Sequence, residues 1–305
     1  MKPWLKKVLS AISVSPDRCN QVLGMNRRNL DYIYPHNKRQ DFPLADNKLK
    51  TKALMENAGV PVPQTYLVYQ HLFEMIRLEQ DIAPCTDFVI KPAQGSGGSG
   101  IVVIKEGRSP EWTSISGKPY NLTHIRKQIS DIIFGVYSFD QADCAIIEER
   151  IQQHPEMEYL SPLGLADIRV ILLQSEPVLA MSRVATSSSD GKSNLHQGAI
   201  GIGIDMQTGH TFNAIQQGKP IQHHPDTGIS LLGHTLPYWE EVVDISRRAA
   251  QAVPLEYLGV DICIGERGPL LVEINVRPGL EIQNANITGM RSLLEALADT
   301  GRQHQ

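Results

Sequence analysis

The stretch Gly259-Val-Asp261-Ile-Cys263-Ile-Gly-Glu266-Arg267-Gly268-Pro-Leu-Leu-Val-Glu273-Ile-Asn275-Val-Arg277-Pro-Gly279 reads as two strands joined by a short turn. Glu273 and Asn275 are two apart on the second strand, so their side chains leave the same face. A three-residue loop, Glu266 to Gly268, with Gly268 in the left-handed position is a common hairpin closure. That register sets Asp261 opposite Glu273. Three oxygen donors then meet on one face among apolar neighbours. Facing carboxylates repel unless a cation lies between them. Hard oxygens in so small a number suit Mg²⁺ that is shared with phosphate oxygens. A solvated sheet face would carry similar residues. The agreement of Asp and Glu through the turn favours a metal set of Asp261, Glu273 and Asn275.

Upstream lies Phe88-Val-Ile-Lys91-Pro-Ala-Gln-Gly95-Ser96-Gly97-Gly98-Ser99-Gly100-Ile101-Val-Val-Ile104. Its glycines satisfy G-x-G-x-x-G, a weak signal alone. A dinucleotide loop runs from strand to helix, whereas this one runs into a second strand. No Gly-Lys-Ser/Thr follows it, and Lys91 precedes the loop, the reverse of the protein-kinase order. What remains is a hairpin flap. Its bare backbone N–H groups can close on a polyphosphate, with Lys91 adding a point charge. The bland alternative is a mobile turn between two strands.

Around these two pieces the chain is an ordinary globular sequence. It has 305 residues, 41% hydrophobic and 20% charged, which suits one large domain or two to three small lobes. Lys+Arg is 29 against Asp+Glu 33. That balance argues against a nucleic-acid or membrane-surface binder, which would carry basic excess. Cys19, Cys85, Cys144 and Cys263 are scattered without CxxC, so reduced thiols and a cytoplasmic location are expected. The N-terminal MKPWLKKVLSAISVSPD has too short an apolar run for a secretory signal and reads as a short amphipathic helix. Residues 20–42 read as a helix followed by a loop.

Helices are expected from Asp46 or Asn47 to Ala58, His71 to Gln80, Leu122 to Phe134, Val242 to Val253 and Arg291 to Ala298. Strands are expected at Gln64–Tyr69, Asp87–Lys91, Ile101–Lys105, Cys144–Glu148, Tyr257–Ile264 and Leu270–Val276. Asp167–Leu173 and Pro177–Thr186 read as a hairpin. Without strict βαβ alternation, an α+β class follows. The His223-His224 pair, followed by Pro225, reads as part of a solvated loop.

In this order the pieces resemble the ATP-grasp superfamily, and within it the RimK-type α-L-glutamate ligases and α-L-glutamate ligase-like proteins. The resemblance runs from about Asp46 to Gly289. DNKLKTKALMENAGVPVPQT is similar to the opening lysine helix and DFVIKPAQGSGGSG to the phosphate flap. CAIIEERI is similar to the strand and hinge that hold adenine. DIRV, SRVAT and KSNLHQGA resemble the acceptor and phosphate-side segments, and LGVDI with LLVEINVRPGL the metal strands. The implied fold is two α+β lobes clasping ATP, 46–150 and 151–305, after a short segment, 1–45. A RimK-type chain has a full α/β domain before the lysine helix, and about 45 residues are too few for one. Residues 20–42 or another subunit could then complete the substrate surface, so a homo-oligomer is one expected arrangement.

The resemblance implies roles residue by residue. Lys48 and Lys91 would hold ATP phosphates together with Gly95, Ser96, Gly97, Gly98 and Ser99. Glu148, Glu149, Arg150 and Ile151 would form the adenine hinge, with Glu156 or Glu158 on the ribose. Arg169, Arg183, Asn194, His196 and Arg277 would line the reacting end. The cofactors would be ATP and Mg²⁺, two ions in the family pattern, with Mn²⁺ as the alternative metal. The implied reaction is ATP-dependent carboxylate–amine ligation through an acyl phosphate, adding an amino acid such as glutamate to a peptide or small carboxylate. The rival readings are a ligase of a cell-surface sugar or peptidoglycan precursor pathway and a non-catalytic ATP-binding scaffold. Asp261→Asn and Glu273→Gln are expected to abolish activity and leave the fold intact.

Overall fold

A computed structural model describes residues 21–95 and 97–302. The expected N-terminal amphipathic helix and Ser96 lie outside the described residues. Two antiparallel sheets carry the fold. The first has six strands in the order β1-β6-β2-β3-β4-β5: β1 Thr65–Tyr69, β2 Phe88–Pro92, β3 Val102–Arg108, β4 Glu111–Ser114, β5 Pro119–Asn121 and β6 Ala145–Glu148. The second has seven in the order β11-β10-β9-β8-β7-β12-β13: β7 Asp167–Leu173, β8 Glu176–Val184, β9 Ile200–Ile204, β10 Thr211–Gln216, β11 Lys219–Ile221, β12 Tyr257–Gly265 and β13 Gly268–Asn275. Mixed helix and sheet without parallel crossovers is the expected α+β class.

Each sheet buries one face under a helix whose apolar spacing demands it. Helix Leu122–Ile133 buries Ile125, Ile129, Ile132 and Ile133, spaced for one helical face, against the six-stranded sheet. Asn121 caps it by accepting from His124 N at 3.1 Å. Helix Trp239–Gln251 places Val242, Ile245 and Ala249 on β7, β8 and β12. The lysine helix Lys48–Asn57 starts at Asn47, whose side chain accepts from Leu49 N and Lys50 N. Its Met55, with Leu23, Ile33, Phe42 and Val60, packs into the core of the seven-stranded sheet.

Residues 25–36 form a helix with a π-helical middle, Arg28–Ile33. It is tied to the far end of the chain. Arg28 Nη1 donates to Pro278 O at 2.8 Å, and Leu23 N donates to Gln283 Oε1 at 2.8 Å. Asn37 exchanges two hydrogen bonds with the Tyr257 backbone, at 2.6 and 3.0 Å, and so pins the start of β12.

Three local readings need correction. The predicted helix at 71–80 is a 3-10 segment, Leu72–Arg77, followed by helix Leu78–Ile82. The hairpin turn has two residues, because Gly265 pairs with Gly268. A bulge between Asp261 and Ile262 then shifts the register by one, and Asp261 still pairs with Glu273. His224 is not solvated: it is buried, with Nε2 3.0 Å from Ala185 O.

Candidate active site

Lys48 joins the two expected halves of the site. Its Nζ donates to the carbonyl of Gly95 in the flap at 2.7 Å and lies 3.2 Å from Glu273 Oε1 on β13. The glycine flap and the acidic strands therefore meet at one ammonium group. In the flap, Gly97, Gly98 and Gly100 all have positive φ, a backbone that L side chains rarely adopt. A Cβ on Gly100 would come within 2.5 Å of the Tyr137 ring. One on Gly97 would lie 3.6 Å from Asn194 Nδ2, so the flap reaches the 192–198 loop.

Behind the flap Lys91 is buried and paired with Glu148 Oε1. The other carboxylate oxygen accepts from Lys52 Nζ at 2.6 Å, and Lys52 also donates to Thr65 Oγ1 at 2.7 Å. Glu148 thus turns its carboxylate inward between two ammonium groups. Burial lowers the pKa of Lys52, although the Glu148 charge opposes the shift. Sequence reasoning missed Lys52. Its signal was the spacing of four from Lys48, which sets both on one helix face.

Four charges lie across adjacent strands in the second half. Arg169 pairs with Asp261 across β7 and β12, and Asp167 with Arg183 across β7 and β8. Arg169 Nε and Nη2 donate to Asp261 Oδ1 and Oδ2 at 2.7 and 2.6 Å. Arg183 donates to Asp167 at 2.5 and 2.6 Å and, from Nη2, to Asp261 Oδ2 at 2.7 Å. Asn275 Nδ2 adds a fourth bond to Asp261 at 3.1 Å. Burial alone would raise the Asp261 pKa. The two guanidiniums outweigh it and hold the carboxyl down to about 2. Burial pushes Asp167 up, against Arg183. Arg183 is itself raised by the two carboxylates despite its burial. Cys263, on β12, is buried and its thiol is pushed well up by desolvation, as befits packing rather than a nucleophile.

The donor chemistry at this end fits Mg²⁺. Asp261, Glu273 and Asn275 offer hard oxygens from paired strands, and Asn275 spends only its amide nitrogen on Asp261. Among the described residues no group of three or more His, Cys, Asp or Glu could hold a metal. A cation on Asp261 would have to displace part of the arginine clamp.

The remaining expected residues are placed as follows. Glu149 N donates to Gln64 O at 2.8 Å, and its carboxylate pairs with Arg267. Arg150 Nε is 3.2 Å from Asp87 Oδ2, and Ile151 is half-buried. Glu156 and Glu158 are exposed on helix Pro155–Leu160. Glu156 lines a cavity of about 500 Å³ with Tyr159 and residues 233–237. Asn194 accepts from His196 N at 3.0 Å, and His196 is exposed. Arg277 lies over the Phe42 ring, 5.1 Å from its centroid.

The sugar-transfer associated ATP-grasp family model matches residues 27–299. The chain belongs to this family. Among curated relatives, a probable alpha-L-glutamate ligase of Citrobacter koseri and the ribosomal protein bS6–L-glutamate ligase of Salmonella newport are each 25% identical over 250 residues. These matches cover 81% of this chain and 61% of each relative, so the chain spans about three fifths of their length. Among solved structures, D-alanine–D-alanine ligase from Bacillus anthracis gives a TM-score of 0.48 at 13% identity, covering 88% of this chain and 70% of that one. Among the described residues no helix is long and apolar enough to cross a membrane.

Proposed function

We propose that this ATP-grasp chain is an ADP-forming carboxylate–amine ligase that works through an acyl phosphate. The observation that carries the reading is Lys48, which touches the flap carbonyl and the metal-strand carboxylate with one ammonium group. ATP would lie between the sheets. The Glu149 carbonyl and the Ile151 N–H are the hinge groups to read the base, since the Glu149 N–H is already bonded to Gln64. Lys48, Lys91 and the flap N–H groups would hold the phosphates in line for attack by an acceptor carboxylate. Asp261, Glu273 and Asn275 would hold Mg²⁺, which when bound offsets phosphate charge. Arg169 and Arg183 are aimed at that cation site and would turn to the anionic acyl phosphate as their grip on Asp261 loosens. Glu148 keeps Lys91 in place.

The acceptor is a carboxylate on a peptide or a small molecule, and the donor is an amino acid or another primary amine. The family's association with sugar transfer favours an acceptor from cell-surface sugar assembly over a ribosomal protein. A cytoplasmic location suits the need for ATP. The test is ADP and phosphate release by the purified chain with ATP, Mg²⁺ and pools of amines and carboxylates. ADP release that requires both pools and the metal is expected. Tight ATP binding with no ADP under any mixture would return the scaffold reading.

A further inference from the structure

A second cavity of about 340 Å³ opens beside the reacting end. Leu195 and Ile215 form its apolar wall, and His196, Gln217, Glu281 and Asn284 are its polar groups. Among the described residues no lysine or arginine lines it. Two short chain segments tie it to the site. A Cβ on Gly279, two residues before Glu281, would lie 3.9 Å from Arg169 Nη1. Asn194, two residues before His196, lies against flap residue Gly97. Ile215 lies opposite Gly201 and Gly201 opposite Arg183, so the cavity wall is on the sheet face that carries the arginine clamp, two strands away. Its size falls at the lower end of small-ligand pockets and suits one short amine. Glu281 is half-buried, and its Oε2 accepts from Asn284 Nδ2 at 2.8 Å, which orients the carboxylate and leaves Oε1 for a ligand.

Resting on the ligase reading above, we propose that this cavity takes the amine substrate as a primary ammonium on Glu281, with an aliphatic body against Leu195 and Ile215. An acidic amino acid is disfavoured, because its carboxylates would enter a small cavity whose one charged side chain among the described residues, Glu281 (His196 neutral), is itself acidic. Glutamate, the incoming group the sequence resemblance implies, is then the wrong amine for this chain. In the reaction the ammonium gives one proton to water and becomes the nucleophile. The C–N bond forms, and the acyl C–O bond breaks with its electron pair leaving on phosphate. The amide nitrogen then passes its second proton to that phosphate.

The experiment is an NMR titration of the full chain with ethanolamine and with L-glutamate, alongside a Mg²⁺-dependent ATP titration. Ethanolamine is expected to bind at least about tenfold more tightly than L-glutamate, the scale of one charge-assisted hydrogen bond. Glu281→Gln should weaken ethanolamine about tenfold and leave ATP affinity unchanged. Gln217→Lys, which puts a cation on the wall, should shift preference towards L-glutamate and covers the case in which the first variant does not fold. Equal or tighter binding of L-glutamate by the native chain overturns the proposal, as does an ethanolamine affinity that Glu281→Gln moves less than twofold. Loss of this pattern with ATP binding intact sinks the pocket alone. Absence of Mg²⁺-dependent ATP binding sinks the ligase reading instead.

Discussion

Asp261→Asn is the most informative single change, because the structure reverses what the sequence suggests about it. The substitution keeps the shape and removes one charge. Asp261 accepts four hydrogen bonds, three of them from guanidiniums, and its side chain is 3% exposed. Asp167 and Asp261 together balance Arg169 and Arg183. Neutralising Asp261 leaves two buried cations against one carboxylate. Breaking a buried pair in this way costs about 3–5 kcal/mol. A carboxyl held at about 2 rather than 3.8 favours its ionised form by about 2.5 kcal/mol, the same order. That is a large share of a total stability of roughly 5–15 kcal/mol. The melting temperature should fall by roughly 6 °C or more. Glu273→Gln is the control. Its side chain is 33% exposed and, among the described residues, its ion pair is with Lys48, so the loss should stay within about 1 kcal/mol. Urea and thermal melts followed by circular dichroism measure both. Restoring balance with Arg169→Gln in the Asp261→Asn background should recover part of the loss. An Asp261→Asn protein that melts with the native chain, while Glu273→Gln falls, would refute the reading of the clamp as structural.

Two further outcomes follow from the same charges. The Asp261 pKa is depressed in the folded chain, so its contribution is fully present above pH 4 and is lost as pH falls towards 2. Urea midpoints at pH 5 and pH 2.5 should show this acid slope, and Asp261→Asn should lack its share. Lys52→Met leaves one buried oxygen of Glu148 without its ammonium and Thr65 without its donor. A loss of about 1–3 kcal/mol in urea is expected, with a raised KM for ATP because Glu148 then grips Lys91 alone.

The pairing of Asp261 with Glu273 was legible because alternation along a strand is a short-range rule. The turn that closes it is one residue shorter than the spacing predicts, and the bulge at Asp261 offsets the difference. The glycine flap and Asn47 cap were legible for the same local reason. β9, Ile200–Ile204, was missed because its alternating glycines leave no apolar–polar rhythm; every residue of it is buried. Those glycines are a tertiary demand: a Cβ on Gly203 would collide with the Ala285 carbonyl of the short helix laid across the sheet. The 3-10 turn at Leu72–Arg77 kept a helix-like composition, and Glu74 accepting from the His71 and Gln70 amides tightened it. The arginine clamp was out of reach. Which carboxylate Arg169 holds depends on β7 lying beside β12, 92 residues away in sequence.

The helix at 25–36 has a consequence for how the molecule is made. Pro278, which accepts from Arg28 of the helix, and Gln283, which accepts from Leu23 just before it, lie 250 and 260 positions downstream. A ribosome delivers this helix some 250 residues before its resting place, so during synthesis Leu23 and Ile33 wait with their apolar sides unmatched. Such distant closure is slow, and it makes the docking of residues 278–283, rather than the pairing of the first sheet, the step that commits these residues to their finished form.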